Sequence, residues 1–299
     1  MIFSTLAYIV SNVLAYSPPG LILSFLSAFV VDGRYFKAYK QEFVGTFLMI
    51  AFTFSAGKWV GVDTWQVAWL AHAVGVIAAD RIGGGPHVNP AVSVSMWSLG
   101  KCTYTEMYVR IAGQMGGGLL AFPLYRFFSN TLGWNSLGGP EFSLLDDDVD
   151  DGSDAAFSEF FATILLCFLI YLVNWELNFG KYHYWIKQTL TAFGIRYLIE
   201  VFPTAGPAMN PMLGTTWAVF NSAFDSGADL DSEIWENMGT FPQDAEHYFV
   251  YWISPICGAL TASFLYAIYS GDAFFGHKLP MGPLVTPIGG VATPSAPSK

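Results

Sequence analysis

Two short segments of the sequence place an Asn-Pro dipeptide directly after a glycine-containing break. They read GPHVNPA from residue 85 and GPAMNPM from residue 206. Asparagine is a favoured N-cap, and proline is best tolerated at the first helical position, so each segment predicts the start of a helix. The side-chain oxygen of Asn89 or Asn210 can cap its own helix, which leaves the amide nitrogen as a hydrogen-bond donor.

If the two helix starts meet inside a membrane, they place two amide donors and the positive ends of two helix dipoles at one point. A neutral molecule that carries oxygen could accept hydrogen bonds from both asparagines, whereas a cation would be repelled. We therefore predict that Asn89 and Asn210 are pore donors. The residues expected at the starts of the two helices are Pro90, Ala91, Pro211 and Met212.

The residues before each asparagine are unsuited to regular helix because they combine glycine and proline. Non-helical backbone at membrane depth is tolerated only where it is packed in protein or lines a water-filled cavity. Its carbonyl groups would then form a ladder of acceptors along one side of a pore. The residues predicted to contribute this backbone are Gly85, Pro86, His87, Val88, Gly206, Ala208 and Met209.

The composition indicates an integral multi-pass membrane protein. Of the 299 residues, 53% are hydrophobic and only 12% are charged, whereas a soluble domain carries about 25% charged residues. Six apolar stretches approach the roughly 20 residues that a transmembrane helix needs. They cover residues 40–58, 65–82, 106–127, 156–177, 184–202 and 248–270. Each Asn-Pro segment leaves room for half a crossing, so the expected fold is all-α, with six transmembrane helices and two re-entrant half-helices.

The spans form two repeats. Glu42 in the first span and Glu159 in the fourth precede the two asparagines by similar distances, 89 − 42 = 47 and 210 − 159 = 51 residues. Repeat one covers residues 36–130 and repeat two residues 155–270. Because each repeat holds three spans, an odd number, the repeats are inverted and their equivalent sites meet near the midplane. A carboxylate buried in a membrane needs partners, and we expect the loop N–H groups to bind both glutamates.

The two ends of the chain differ from the core. Basic residues favour the cytoplasmic side, and their distribution places the start of the first core span inside. Residues 1–35 form an apolar extension, which could be a kinked extra span, a signal anchor or an interfacial segment. The channel-like domain is expected over residues 36–275. Residues 276–299 are rich in Pro, Gly, Ser and Thr, and we expect them to be disordered.

Residues capable of covalent chemistry are not grouped in the sequence. Cys102, Cys167 and Cys257 are far apart and have no metal-ligand or CxxC spacing. The spans contain no nucleophile–base pair, so an enzyme, a bound metal and a cofactor are not expected. Two other membrane functions stay open, a secondary transporter built on inverted repeats and a structural protein with a closed pore.

Over about residues 36–270 the sequence resembles the aquaporin (major intrinsic protein) family, whose NPA motif is matched by residues 89–91. Glu42, Glu159 and the segment 251–255 in the last span add to this likeness. The resemblance implies a passive channel, with one pore per subunit of a homotetramer, for water and small neutral solutes such as glycerol, urea, ammonia or peroxide. Its partners would be that solute and membrane lipid, in the plasma membrane or an internal membrane, and not nucleic acid.

The second motif departs from the family pattern. Residue 212 is methionine in place of alanine, and Leu213 stands where the family has the arginine of its outer filter. Counting from the asparagines places the other selectivity-filter residues at Trp69, Leu198 and Pro207. Such a filter has almost no side-chain donors. The apolar extension and the leucine after the second motif are similar to those of the divergent superaquaporins.

Three residues near the expected pore have more than one interpretation. Met212 could line the midpoint of the pore or pack the half-helix. His72 lies one turn below the filter tryptophan and is a further candidate for the pore wall. Arg196 could form an i, i+4 pair with Glu200 or could replace the missing filter charge. Against the second interpretation, a separation of two residues from the filter leucine corresponds to about 200° of helix rotation.

Overall fold

The computed structural model describes both repeats and the beginning of the carboxy-terminal segment. The described residues are 22, 26, 35–53, 65–132, 140, 152–202, 208–222 and 240–283. The amino-terminal extension lies outside them apart from Ile22, Leu26 and Tyr35. Gly206 and Pro207, predicted as pore and filter residues, also lie outside them.

Repeat one consists of three long helices and one short helix. They are α1 (Phe36–Thr53), α2 (Trp65–Gly83), α3 (Pro90–Ser98) and α4 (Tyr104–Leu132). The short helix α3 has nine residues and is therefore about 14 Å long at 1.5 Å per residue. That length is roughly half of the hydrocarbon core of a bilayer, as predicted for a half-helix.

Repeat two has the same order of long and short helices. It contains α5 (Gly152–Tyr171) with a π-turn (Leu172–Glu176), a 3₁₀ turn (Gly180–Tyr182), α6 (His183–Val201), α7 (Pro211–Ser222), α8 (Ala245–Tyr248), a second π-turn (Phe249–Ile253) and α9 (Ser254–Ser270). The second π-turn joins α8 to α9 without a break. Each of the six predicted spans therefore falls on one long helical segment, and α7 is the second half-helix.

Each half-helix packs against the opposite repeat. The first, α3, contacts α9, and the second, α7, contacts α4. Ala91 of α3 shares a buried core with Tyr171 and Ala259 of repeat two, while Trp217 of α7 packs against Phe122 of repeat one. This exchange brings the starts of both half-helices to the centre of the molecule.

Glycines allow the long helices of each repeat to approach closely. A Cβ on Gly113 or Gly117 of α4 would overlap the carbonyl oxygens of Tyr39 and Phe43 in α1. In repeat two, a Cβ on Gly258 of α9 would overlap the carbonyl oxygen of a residue in α5. In lipid there is no hydrophobic driving force between helices, so helix association depends on the close van der Waals packing that small residues allow.

The expectation of a disordered carboxy-terminal segment from residue 276 does not hold for residues 276–283. An antiparallel hairpin forms there from β1 (Ala273–Phe274) and β2 (His277–Lys278). It is fixed to the end of α3, because the N–H of Phe275 donates to the carbonyl oxygen of Ser98 at 2.7 Å. Residues 284–299 lie outside the described part of the chain.

Candidate pore between the two half-helices

Both asparagines cap the half-helices that follow them. Asn89 has an extended backbone, with φ −151° and ψ 120°, and its Oδ1 accepts from the N–H groups of Ala91 at 2.9 Å and Val92 at 3.4 Å. Oδ1 of Asn210 accepts from the N–H of Met212 at 3.1 Å. The predicted helix starts are therefore present in both repeats, and both carboxamide oxygens are occupied by capping.

The amide nitrogens of the two asparagines reach across to the opposite loop. Nδ2 of Asn89 donates to the carbonyl oxygen of Met209 at 2.7 Å, and Nδ2 of Asn210 donates to that of Val88 at 2.9 Å. Both acceptor residues have positive φ, 51° for Val88 and 48° for Met209, a conformation that costs about 1–2 kcal/mol outside glycine. A primary amide has two N–H groups, so each asparagine commits one of them to this cross-contact.

Two buried glutamates hold the loops in place. Glu42 accepts from the N–H groups of His87 and Val88, both at 2.8 Å. Glu159 accepts from those of Ala208 at 2.7 Å and Met209 at 2.8 Å. Both glutamates are fully buried. The predicted contact between each glutamate and the loop N–H groups is confirmed, and it fixes the residues whose carbonyls meet the asparagines.

The two glutamates differ in their remaining partners. Glu42 also accepts from Nη1 of Arg110 at 2.6 Å and from Nε2 of Gln114 at 2.9 Å. Within the described residues, Glu159 has no basic partner at salt-bridge distance. The same loop contact is therefore compensated by a positive charge in the first repeat only, as far as the described residues show.

A cavity of about 1110 Å³ lies beside the asparagine pair and includes both asparagines in its wall. The loop residues that line it are Gly85, Pro86, His87, Val88, Ala208 and Met209, which are all the predicted ones that the structure describes. One end of the wall is polar and contains Asp80, Arg81 and Lys101. The other end contains Thr53 and Arg196. The cavity thus passes the asparagines and follows the length of the helices.

Helix α6 contributes one continuous face to the cavity. The residues of this face are Tyr184, Lys187, Gln188, Thr191, Ile195 and Ile199, with Arg196 at its edge. Leu198, predicted as a filter residue, is about 100° away from Ile199 around the helix. It is only 5% exposed and packs against Ala162, Leu166 and Met209. This corrects the prediction, because Ile199 lines the cavity and Leu198 belongs to the core.

Two other predicted wall residues also make different contacts. Trp69 is absent from the cavity lining, and its Nε1 donates to Oε1 of Glu200 at 2.8 Å. Met212 is fully buried against Ile50 and its neighbours, so the packing interpretation holds for this side chain. Leu213, the next residue along α7, does line the cavity.

A family model of the major intrinsic proteins matches residues 31–266, which is most of the chain. The chain belongs to the major intrinsic protein family. Members of this family are integral membrane proteins and passive channels rather than enzymes. By length and hydropathy alone, two of the described helical segments qualify as spans, Gly152–Glu176 and Ala245–Ser270. The membrane assignment therefore rests on the family.

The chain is similar to several major intrinsic proteins along most of their length. It is 26% identical to Aquaglyceroporin-2 of Rhizophagus irregularis over 273 residues, which cover 81% of this chain and 80% of that protein. It is 23% identical to the glycerol uptake facilitator protein of Bacillus subtilis (strain 168), with 80% and 86% covered. It is 21% identical to Aquaporin-9 of Homo sapiens, with 82% and 86% covered.

A solved structure of the family has the same fold. The X-ray structure of the aquaglyceroporin from Plasmodium falciparum superimposes with a TM-score of 0.57 at 21% sequence identity. The match covers 78% of this chain and 95% of the other. This agreement confirms the predicted aquaporin-like, all-α architecture.

The cavity wall of this major intrinsic protein holds polar residues that were only weakly predicted from the sequence. His72 and Arg196 both line the cavity near Thr53. Nearer the opposite end, Nζ of Lys187 donates to Oδ1 of Asn174 at 3.0 Å. The signal for the α6 residues was present, because polar residues recur at three- and four-residue steps from Tyr184, as on one face of a helix.

Proposed function

We propose that this major intrinsic protein conducts water and small uncharged solutes, including glycerol, by passive single-file diffusion. The observation that carries the proposal is the pair of asparagines in the wall of one cavity. Each has an amide N–H beyond the one that binds the opposite loop. A passing oxygen atom can accept from these donors, while the loop carbonyls accept its hydrogens. The positive ends of α3 and α7 disfavour cations at the same point.

Two observations support glycerol as a solute. Relatives in Rhizophagus irregularis and in Bacillus subtilis are named an aquaglyceroporin and a glycerol uptake facilitator protein. In this chain, Ile199 and Leu213 give the cavity an apolar side near Arg196. An apolar wall beside polar groups suits a molecule whose carbon chain and hydroxyl groups face opposite sides.

We further infer a homotetramer in lipid, as the family resemblance implies. Large apolar side chains are exposed on the outer faces of the helices, including Leu70 and Val74 on α2 and Phe157 and Leu165 on α5. Such surfaces need cover from lipid or from neighbouring subunits. Native mass spectrometry in mild detergent is expected to give a mass of four chains, and a single-chain mass would contradict this inference.

Osmotic shrinkage of proteoliposomes tests the proposed channel. Vesicles with the wild-type protein are expected to lose water and to take up glycerol several-fold faster than empty vesicles. Asn210→Ala removes a cap and a pore donor, and both rates should fall towards those of empty vesicles. Asn178→Ala is the matched control, because Asn178 caps an exposed turn at Gly180 and does not line the cavity.

Two outcomes contradict the proposal. Wild-type vesicles that shrink no faster than empty ones indicate a closed pore. Glycerol uptake that saturates at low concentration and depends on a proton gradient indicates a secondary transporter instead of a passive channel.

A further inference from the structure

The cavity end near Thr53 carries a polar cluster that the asparagine pair does not explain. We call it the outer collar, and it consists of Trp69, His72, Arg196 and Glu200. Nε of Arg196 donates to Oε1 of Glu200 at 3.1 Å, and Nη2 of Arg196 lies 3.1 Å from the same oxygen in the ion pair. Nε1 of Trp69 donates to the same oxygen at 2.8 Å. Oε1 of Glu200 therefore links α2 to α6 and binds the guanidinium of Arg196.

The register of the two helices places His72 and Arg196 at the same depth. Helices α2 and α6 are antiparallel, because the Tyr184 hydroxyl of α6 donates to Oδ2 of Asp80 at 2.8 Å near the opposite end of the pair. The Trp69–Glu200 contact sets a common level on the two helices. His72 lies three residues from Trp69 towards the Asp80 end, and Arg196 lies four residues from Glu200 towards the same end. These steps are about 4.5 and 6 Å along the helices. Both side chains line the cavity.

Both side chains have hydrogen-bonding groups to spare. Glu200 accepts one hydrogen bond from Arg196, at Nε, and no other acceptor for the guanidinium occurs among the described residues. His72 is only 9% exposed, and its Nε2 is buried without a partner in the described part of the chain. Buried polar groups in folded proteins are nearly always hydrogen-bonded, so the His72 nitrogen is an exception. The Arg196 side chain is 33% exposed, and its remaining N–H groups can therefore donate to a solute in the cavity.

The charge at this end of the cavity comes from α6. Among the described lining residues, Arg81, Lys101 and Lys187 lie towards the Asp80 end, and Arg196 is the only arginine or lysine near Thr53. Leu213, on the second half-helix, lines the same cavity and carries no charge.

We propose that Arg196, held by Glu200 and Trp69, is the specificity-determining cation of the outer collar, with His72 at the same depth in the cavity wall. The guanidinium repels cations before they reach the asparagines. It also donates hydrogen bonds to the oxygen atoms of water or a polyol. This inference rests on the proposed channel function and assigns its selectivity to a residue outside both Asn-Pro motifs.

Charge variants of Arg196 in proteoliposomes test the inference. Arg196→Gln removes the charge at similar size, and Arg196→Leu removes it while matching the neighbouring isoleucines. Arg196→Lys keeps the charge. Lys181→Ala is the control, because it removes an exposed positive charge outside the cavity lining. Proton uptake driven by a potassium diffusion potential and water efflux in an osmotic gradient are measured on the same vesicles.

Both neutral variants are expected to raise proton uptake about tenfold, which is the order expected when one nearby unit charge is lost. Arg196→Lys and Lys181→Ala should match the wild type, and water efflux should persist in all of them. Proton exclusion that survives in the neutral variants overturns the inference, as does an equal leak in Arg196→Lys. Water efflux from vesicles with the wild-type protein tests the proposed channel function separately. If that efflux is absent, both proposals are overturned.

Discussion

Nη1 of Arg110 lies 2.6 Å from Oε1 of Glu42, and the second repeat has no equivalent ion pair within the described residues. The glutamate side chain is fully buried and that of Arg110 is 14% exposed. Arg110 also contacts Glu106 at 2.8 Å, one turn earlier on α4. A buried charge is costly unless it is paired, so the loop before Asn89 depends on Arg110 for its anchor.

Arg110→Met is therefore expected to destabilise the protein strongly. It leaves the Glu42 carboxylate without its positive partner, which costs about 3–5 kcal/mol when one member of a buried pair is removed. The double variant Glu42→Gln, Arg110→Met should recover part of that loss, because the uncompensated charge is gone. Thermal unfolding in detergent, followed by tryptophan fluorescence, measures both. A single variant that unfolds together with the wild type would contradict the assigned role of the ion pair.

Asn89→Asp separates capping from donation at the pore. The carboxylate keeps an oxygen for the N–H groups of Ala91 and Val92 but has no hydrogen for the Met209 carbonyl oxygen. Losing that buried hydrogen bond should cost about 1–3 kcal/mol. The new negative charge offsets the positive potential at the N-termini of the two half-helices. Proton uptake should therefore rise while the half-helix stays folded.

The matched control for this change is Asn178→Asp, which places the same charge on an exposed turn at Gly180. Unfolding temperature and proton uptake are measured for both variants in parallel. If Asn89→Asp behaves as Asn178→Asp does in both measurements, the donor role of Asn89 is refuted.

The sequence predicted the centre of the molecule well because its determinants are local. An asparagine before a proline specifies a helix start through the cap it makes within three residues. The pairing of Glu42 and Glu159 with their loops followed from the need of a buried carboxylate for N–H donors. The cross-contact from Asn89 to Met209 was not predicted, because it depends on two loops that lie 120 residues apart in the sequence.

Positions on the helix faces were predicted less well. The filter position on α6 was counted back from Asn210 through a segment of irregular backbone, where an offset of one residue turns a side chain by about 100°. That offset separates Leu198 from Ile199. The direction of Met212 is decided by its fit against Gly118 of α4, where a Cβ would lie 2.6 Å from the methionine sulfur. The contact with Gly118 cannot be predicted from the sequence around Met212.

Leu198 and Ile199 provide a matched pair of substitutions on adjacent residues. Leu198→Ala empties a buried site beside Leu166 and Met209, and large-to-small core changes of this kind cost about 2–5 kcal/mol. Ile199→Ala widens the cavity instead and should increase glycerol uptake relative to water with a smaller loss of stability. Thermal unfolding and the two osmotic assays distinguish them. The reverse pattern, with Leu198→Ala changing selectivity, would restore Leu198 as the filter residue.

Gly258→Ala tests the close approach of α5 and α9. A Cβ at this position would overlap the carbonyl oxygen of Phe160, and the backbone cannot move aside as a flexible side chain could. Overpacking of a well-packed interface costs about 1–3 kcal/mol. Cys257→Ala, at an exposed position on the same helix, is the control and should unfold with the wild type. Because α9 also carries Ala259 against α3, a displaced α9 should slow water efflux as well. Unfolding temperature and efflux that both stay at the wild-type level would show that these helices have room to separate.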